Sequence, residues 1–172
     1  MSIERPAAVT MRGNPFTLVG PEIKVGEKAP DFTVIAKDMS PATLGTYQGK
    51  VKIICTVPSL DTGVCDKETQ RFDAEGKDLS DQIIILTVSV DLPFAQKRWC
   101  GLTGAERVVT LSDHRDTSLG IAYGTLIKEL RLLSRAVFVV DAHDTVRYVE
   151  YVPEIATEPN YEAALAAART AV

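Results

Sequence analysis

Four runs in this chain are apolar or β-branched on consecutive residues rather than alternate ones: Val51–Val57, Ile83–Val90, Val108–Leu111 and Ala136–Val140. A strand with one wet face alternates, so runs that do not alternate belong in a sheet covered on both faces. Helix-prone segments lie between them. Val64–Glu75 is charged and free of Gly and Pro, with Asp61 and Thr62 as caps before it and Gly76 at its end. Asp91-Leu92-Pro93 opens a helix over Pro93–Cys100 that stops at Gly101, and Asp113–Tyr123 predicts a short helix ending near Gly124. Alanine-rich Asn160–Thr170 predicts the last helix, started at Thr157 or Glu158-Pro159. Val9–Val19 reads as a hairpin turning at Gly13-Asn14-Pro15, Phe32–Ala36 as a short strand, and Lys37–Lys50 as a polar, turn-rich connection. Asp141–Asp144 turns the fourth apolar run into a further strand, Val146–Val152. This order predicts an α/β sandwich with a mixed sheet and helices on both faces. The 172 residues, 45% hydrophobic and 24% charged, suit a single domain over 1–172.

A net charge of −4 offers no phosphate-binding surface, so nucleic acid is not an expected partner. No apolar run approaches the roughly 20 residues of a membrane helix. Met1-Ser-Ile-Glu-Arg-Pro6 is not a secretory leader, which makes the cytoplasm the expected location. Three cysteines, with no Cys-x-x-Cys and only two histidines, His114 and His143, fit neither a disulfide framework nor a zinc site. No metal or organic cofactor is expected. Each cysteine is therefore either inert or reactive.

Cys55 lies inside an apolar run, where burial disfavours a thiolate, and reads as core filler. Pro58 ends that run because it has no N–H for a sheet ladder. Cys65 then falls in the first turn of a helix, where unpaired N–H groups and the helix dipole favour an anion. Thr62 stands three residues before it. From these residues alone, a buried cysteine beside an ordinary cap and a reactive one are equally good readings. Cys100 sits at the opposite, unfavourable end of its helix, so Cys65 is the better nucleophile and Cys100 the better second thiol. The histidines lie in a hairpin turn and a polar loop, which argues against a Cys–His hydrolase pair. Arg135, just before a core strand, is the best cation candidate, although from these residues alone a solvated arginine at a strand start is the preferred reading.

Three segments, Pro58-Ser-Leu-Asp-Thr62-Gly-Val-Cys65, Asp91-Leu-Pro-Phe-Ala-Gln-Lys-Arg-Trp-Cys100-Gly and Ser134-Arg135-Ala-Val, resemble the thiol peroxidases, the atypical two-cysteine branch of the peroxiredoxins. Arg12-Gly-Asn-Pro15 and Glu158-Pro-Asn-Tyr-Glu-Ala-Ala-Leu165 resemble the same family, so the likeness spans nearly the whole chain. The Pro-x-x-x-Thr-x-x-Cys motif is shared by peroxiredoxins generally, whereas Asp-Leu-Pro-Phe-Ala-Gln with its downstream cysteine is specific to this branch.

The resemblance implies a thioredoxin-like fold with an N-terminal hairpin, a homodimer, and thioredoxin as reductant. It also implies a preference for organic hydroperoxides over hydrogen peroxide. By resemblance, Cys65 is the peroxidatic cysteine, Cys100 the resolving cysteine, Thr62 and Arg135 the polar partners of the thiolate, and Pro58 the shield of the pocket. Gly124–Leu133 matches nothing securely. The implied chemistry is oxidation of Cys65 to a sulfenic acid, then an intramolecular Cys65–Cys100 disulfide. Cysteines on separate helices do not come within the roughly 7 Å between Cα atoms that a disulfide needs unless both helix ends loosen. Two rivals stand beside this reading. One is a disulfide oxidoreductase on the same fold, which would need the absent Cys-x-x-Cys. The other is a binding module that kept the fold without the chemistry.

Overall fold

The computed structural model describes residues 2–172. Its main sheet has seven strands in the order β10-β9-β5-β6-β7-β3-β4. The three central strands are β5 (Val51–Thr56), β6 (Ile83–Ser89) and β7 (Val108–Ser112), all parallel to one another. On one side, β9 (Ala136–Val140) joins β5 antiparallel and β10 (Val146–Tyr151) joins β9. On the other, β3 (Thr33–Ile35) and β4 (Pro41–Thr43) close the edge antiparallel. A second sheet holds β1 (Glu4–Met11), β2 (Asn14–Val19) and β8 (Leu126–Ile127). The helices are α1 (Gly63–Gly76), α2 (Pro93–Thr103), α3 (Ser118–Ala122) and α4 (Tyr161–Thr170). The mixed sheet with helices on both faces is the architecture expected from the apolar runs.

The cores explain why those runs do not alternate. Val51, Ile53 and Cys55 of β5 pack with Val137 and Val139 of β9 against Phe72 of α1 and Leu165 of α4. Their neighbours Ile54, Phe138 and Val140 face the other way, toward Phe32, Leu119 and Tyr123. β5 and β9 are thus dry on both sides. Lys52 is the one charge in the first run and is fully buried there. Its Nζ lies 2.7 Å from Asp144 Oδ1 in the turn between β9 and β10.

Several boundaries differ from the sequence reading. The hairpin turns at Arg12-Gly13, and Asn14 and Pro15 begin β2. Lys37–Lys50 contains β4 and a short 3₁₀ turn, Leu44–Tyr47. Gly101 does not stop α2. The helix runs on to Thr103 and closes with Gly104 in the left-handed region (φ 70°), its N–H 2.9 Å from Cys100 O. Gly76 is the last residue of α1, as expected, and Lys77 is its C-cap. Glycine stands at 76 because a Cβ there would lie 2.8 Å from Ile85 Cδ1, so the helix rests directly on β6. The helix expected over Asp113–Tyr123 shrinks to α3. Thr117 takes a left-handed φ of 49°, and the Asp113 carboxylate accepts from the N–H groups of Leu119 and Gly120 at its start. α4 starts one residue after Asn160, whose side chain accepts from Ala163 N–H. The two-residue strand β8 falls in Gly124–Leu133 and had no periodicity to announce it.

Candidate active site

β5 ends, the chain makes one short loop, and α1 begins. β9 runs antiparallel to β5, with Ala136 opposite Thr56, so β9 starts at the same end of the sheet where β5 stops. Cys65 and Arg135, seventy residues apart in sequence, are therefore brought together by strand pairing. Thr56 Oγ1 donates to Ser134 O at 2.8 Å and pins the residue before the arginine.

Pro58 follows Val57, whose N–H still donates to Val88 O at 3.0 Å, and ends the ladder. The loop after it is held by Asp91, whose carboxylate accepts from Ser59 Oγ at 2.7 Å, Leu60 N–H at 2.8 Å and Ser89 Oγ at 2.6 Å. Thr62 takes the N-cap position with extended backbone. Its hydroxyl does not cap the helix but donates to Ser59 O at 3.1 Å. The first bond of the helix runs from Asp66 N–H to Thr62 O. The N–H groups of Gly63, Val64 and Cys65 thus have no intrahelical partner, as at any helix start.

Cys65 is fully buried, in an apolar cluster with Val57, Leu60, Trp99 and Cys100. It is not walled off in hydrocarbon alone, because Arg135 Nη2 donates to its sulfur at 3.3 Å. The guanidinium has two further anchors: Nε donates to Ile155 O at 3.0 Å, and Nη1 pairs with Glu68 Oε2. Burial works against the arginine's charge, but Glu68 first and Cys65 second outweigh it, so the proton is held more firmly than usual. Burial pushes the Glu68 carboxyl up to about 7 against the pull of Arg135. The solvated reading of Arg135 is excluded, since it is 1% exposed.

Glu68 was not singled out in the sequence. The available signal was its place one helical turn after Cys65, on the same face of α1. From sequence, Asp91 reads only as the opening of a helix.

The cavity beside this cluster, about 270 Å³, is lined by Pro58, Thr62, Val64 and Arg135, and by Met11 and Ile155 on its apolar side. The N-terminal hairpin and the loop after β10 thus wall the site. Glu154 ties them together, accepting from Thr10 Oγ1 at 2.7 Å and Arg12 N–H at 2.9 Å. A larger cleft of about 690 Å³ lies between the β9–β10 turn and the end of α4, and no cysteine lines it.

The other cysteines divide as their positions suggested. Cys55 is buried in the sheet, and burial followed by the nearby Glu68 charge pushes its thiol well up. Cys100 is in the last turn of α2, nearly buried, with its sulfur 3.6 Å from Thr110 Oγ1 on β7. Cys65 and Cys100 share one apolar cluster, yet each sulfur has its own polar neighbour, Arg135 for one and Thr110 for the other. Neither histidine lines the cavity: His114 Nδ1 lies 2.8 Å from Ser112 Oγ, and His143 sits in the β9–β10 turn. Among the described residues no group of His, Cys, Asp and Glu is arranged to hold a metal. No helix there is long and apolar enough to cross a membrane.

Residues 24–165 match the Redoxin family model. A thiol peroxidase of Halalkalibacterium halodurans is 59% identical over 96% of this chain and 99% of its own length. One from Bacillus subtilis is 53% identical over the same shares. The crystal structure of a peroxiredoxin-like protein from Aquifex aeolicus superposes with a TM-score of 0.90 at 42% identity, covering 97% of this chain and 99% of that one.

Proposed function

The chain belongs to the thiol peroxidases of the Redoxin family, and from that premise we propose that it reduces hydroperoxides through Cys65 and is recycled through Cys100. The observation that carries this reading is the Arg135 guanidinium within 3.3 Å of the Cys65 sulfur at the start of a helix. A cation and a helix N-terminus on one sulfur favour thiolate without a histidine or a metal. The thiolate attacks one peroxide oxygen, the O–O bond breaks, and the other oxygen leaves as an alkoxide or hydroxide that takes up a proton. Cys65 keeps the transferred oxygen as a sulfenic acid. Negative charge moves from sulfur to the leaving oxygen, and Arg135 with the free first-turn N–H groups is placed to follow it. The Thr62 hydroxyl has its hydrogen committed to Ser59 O, so its oxygen is left to accept from the peroxide O–H. Pro58 and the apolar wall of Met11 and Ile155 limit water, which supports organic hydroperoxides as well as hydrogen peroxide.

Cys100 then displaces the sulfenic oxygen to give a Cys65–Cys100 disulfide and water. An external dithiol reopens it, and thioredoxin is the reductant we assign from the family. A single domain over 1–172, a homodimer and a cytoplasmic location complete the reading. Replacing Cys65→Ser abolishes peroxide consumption. Replacing Cys100→Ser leaves one oxidation per chain but blocks thioredoxin-driven cycling, and full multi-turnover activity in that variant would remove Cys100 from the mechanism.

A further inference from the structure

The residue after Cys65 and the residue before Cys100 are joined by a hydrogen bond. Trp99 Nε1 donates to Asp66 Oδ1 at 2.7 Å, and the indole is 7% exposed. Asp66 is steadied from the other side by Gln70, whose amide donates to Oδ2 at 2.9 Å. The bond therefore links the first turn of α1 to the last turns of α2. Those two segments are the ones that must loosen before the sulfurs meet, because Cys65 is turned toward Arg135 and Cys100 toward Thr110. We propose that the Trp99–Asp66 hydrogen bond is a latch on the closed site, and that its strength sets how long the Cys65 sulfenic acid survives before Cys100 reaches it.

The inference rests on the resolving role of Cys100. Two reactions compete for the sulfenic acid. In resolution the Cys100 sulfur attacks the Cys65 sulfur, the S–S bond forms, the S–O bond breaks, and the oxygen leaves with the Cys100 proton as water. In overoxidation the closed site admits a second peroxide. The Cys65 sulfur takes another oxygen, the O–O bond breaks, the peroxide is reduced to water or alcohol, and a sulfinic acid remains. Overoxidation uses the closed geometry that favours the first step, whereas resolution needs the open one. A charge-assisted hydrogen bond from a buried indole to a half-buried carboxylate holds the closed state. Trp99 and Asp66 are positioning residues here, since neither touches the peroxide cavity.

The test is Trp99→Phe, which keeps an aromatic ring in the cluster and removes the donor at the cost of some packing volume, with Asp66→Asn as an independent second variant that weakens the acceptor and leaves the indole in place. Each protein is cycled with dithiothreitol and increasing hydrogen peroxide, and the fraction carrying two added oxygens on Cys65 is read by mass spectrometry. First oxidation is timed separately in a Cys100→Ser background. The expected result is that W99F needs about tenfold more peroxide to reach the same sulfinic fraction, that D66N shifts the same way by less, and that the first oxidation changes by less than about twofold. A sulfinic fraction unchanged or increased in both variants overturns the latch. A wild-type protein that never forms the Cys65–Cys100 disulfide overturns the proposed function instead, so the two failures are distinguishable.

Discussion

Glu68 and Arg135 are both 1% exposed and pair with each other directly behind the Cys65 sulfur. A buried guanidinium beside the sulfur alone would be poorly solvated, and a buried carboxylate alone would be worse. Together they let a cation stand in an apolar cluster, and the Ile155 carbonyl fixes the plane of the guanidinium. The arginine can then serve sulfur on one nitrogen while Glu68 holds another.

This division of labour predicts that lysine cannot replace the arginine. One ammonium cannot span Glu68, Ile155 O and Cys65 in the planar fork that three anchors require. R135K is expected to slow the first oxidation of Cys65 by about a hundredfold or more. Stopped-flow measurement of sulfenic acid formation checks this, and a loss below about tenfold would show that charge alone suffices.

Glu68 makes stability depend on pH. Its folded value of about 7 stands above the 4.5 of an ordinary glutamate. Between those values the folded chain holds a proton that the unfolded chain has released. The stabilisation is therefore complete below about 4.5 and is lost as pH rises through about 7. Melting temperature, measured for wild type and E68Q between these limits, is expected to fall with rising pH in the wild type and to flatten in the variant. Equal slopes would place the titration elsewhere.

Lys52 and Asp144 make a second pair, far from the sulfur, with the lysine side chain fully buried and the aspartate a quarter exposed. Removing the carboxylate strands a buried ammonium, while removing the lysine leaves only a partly wet aspartate. D144N, which tolerates the φ of 61° at that position, is expected to cost about 2 kcal/mol. K52M is expected to stay within about 1 kcal/mol of wild type, because the long apolar stem is conserved. Urea unfolding midpoints compare the two, and a larger loss for K52M would reverse the assignment of which charge depends on which.

Gly76 carries a packing prediction. In G76A the new methyl meets Ile85 Cδ1 at 2.8 Å and Arg107 Cβ at 3.2 Å. Overpacking costs roughly 1–3 kcal/mol, and the better helix propensity of alanine returns about 1 kcal/mol. A net loss of about 1 kcal/mol is expected in denaturant unfolding. A gain would mean that α1 can lift from β6 without penalty.

The non-alternating apolar runs and the single helix-start cysteine were legible in the sequence because they are local. A run that is apolar on every residue has no alternative to burial on both faces, and Pro58 followed by Asp61 and Thr62 marks where the strand gives way to a helix. The helix ends were less legible. Gly101 looks like a stop yet sits inside α2, whereas Gly76 does end α1 and also lies where a Cβ would crowd Ile85. A glycine signals both a turn and a close contact, and only the neighbours distinguish them.

The sequence by itself determined the main strands and helices and the family, and it singled out Cys65 at a helix start, because these depend on local pattern and on motifs. What surrounds that sulfur was decided by tertiary structure. The antiparallel pairing of β9 with β5 brings Arg135 to Cys65, the face of α1 turns Glu68 inward, and the meeting of α1 with α2 sets Trp99 on Asp66. Contacts between residues tens of positions apart depend on strand order and register, and no short stretch of sequence encodes those.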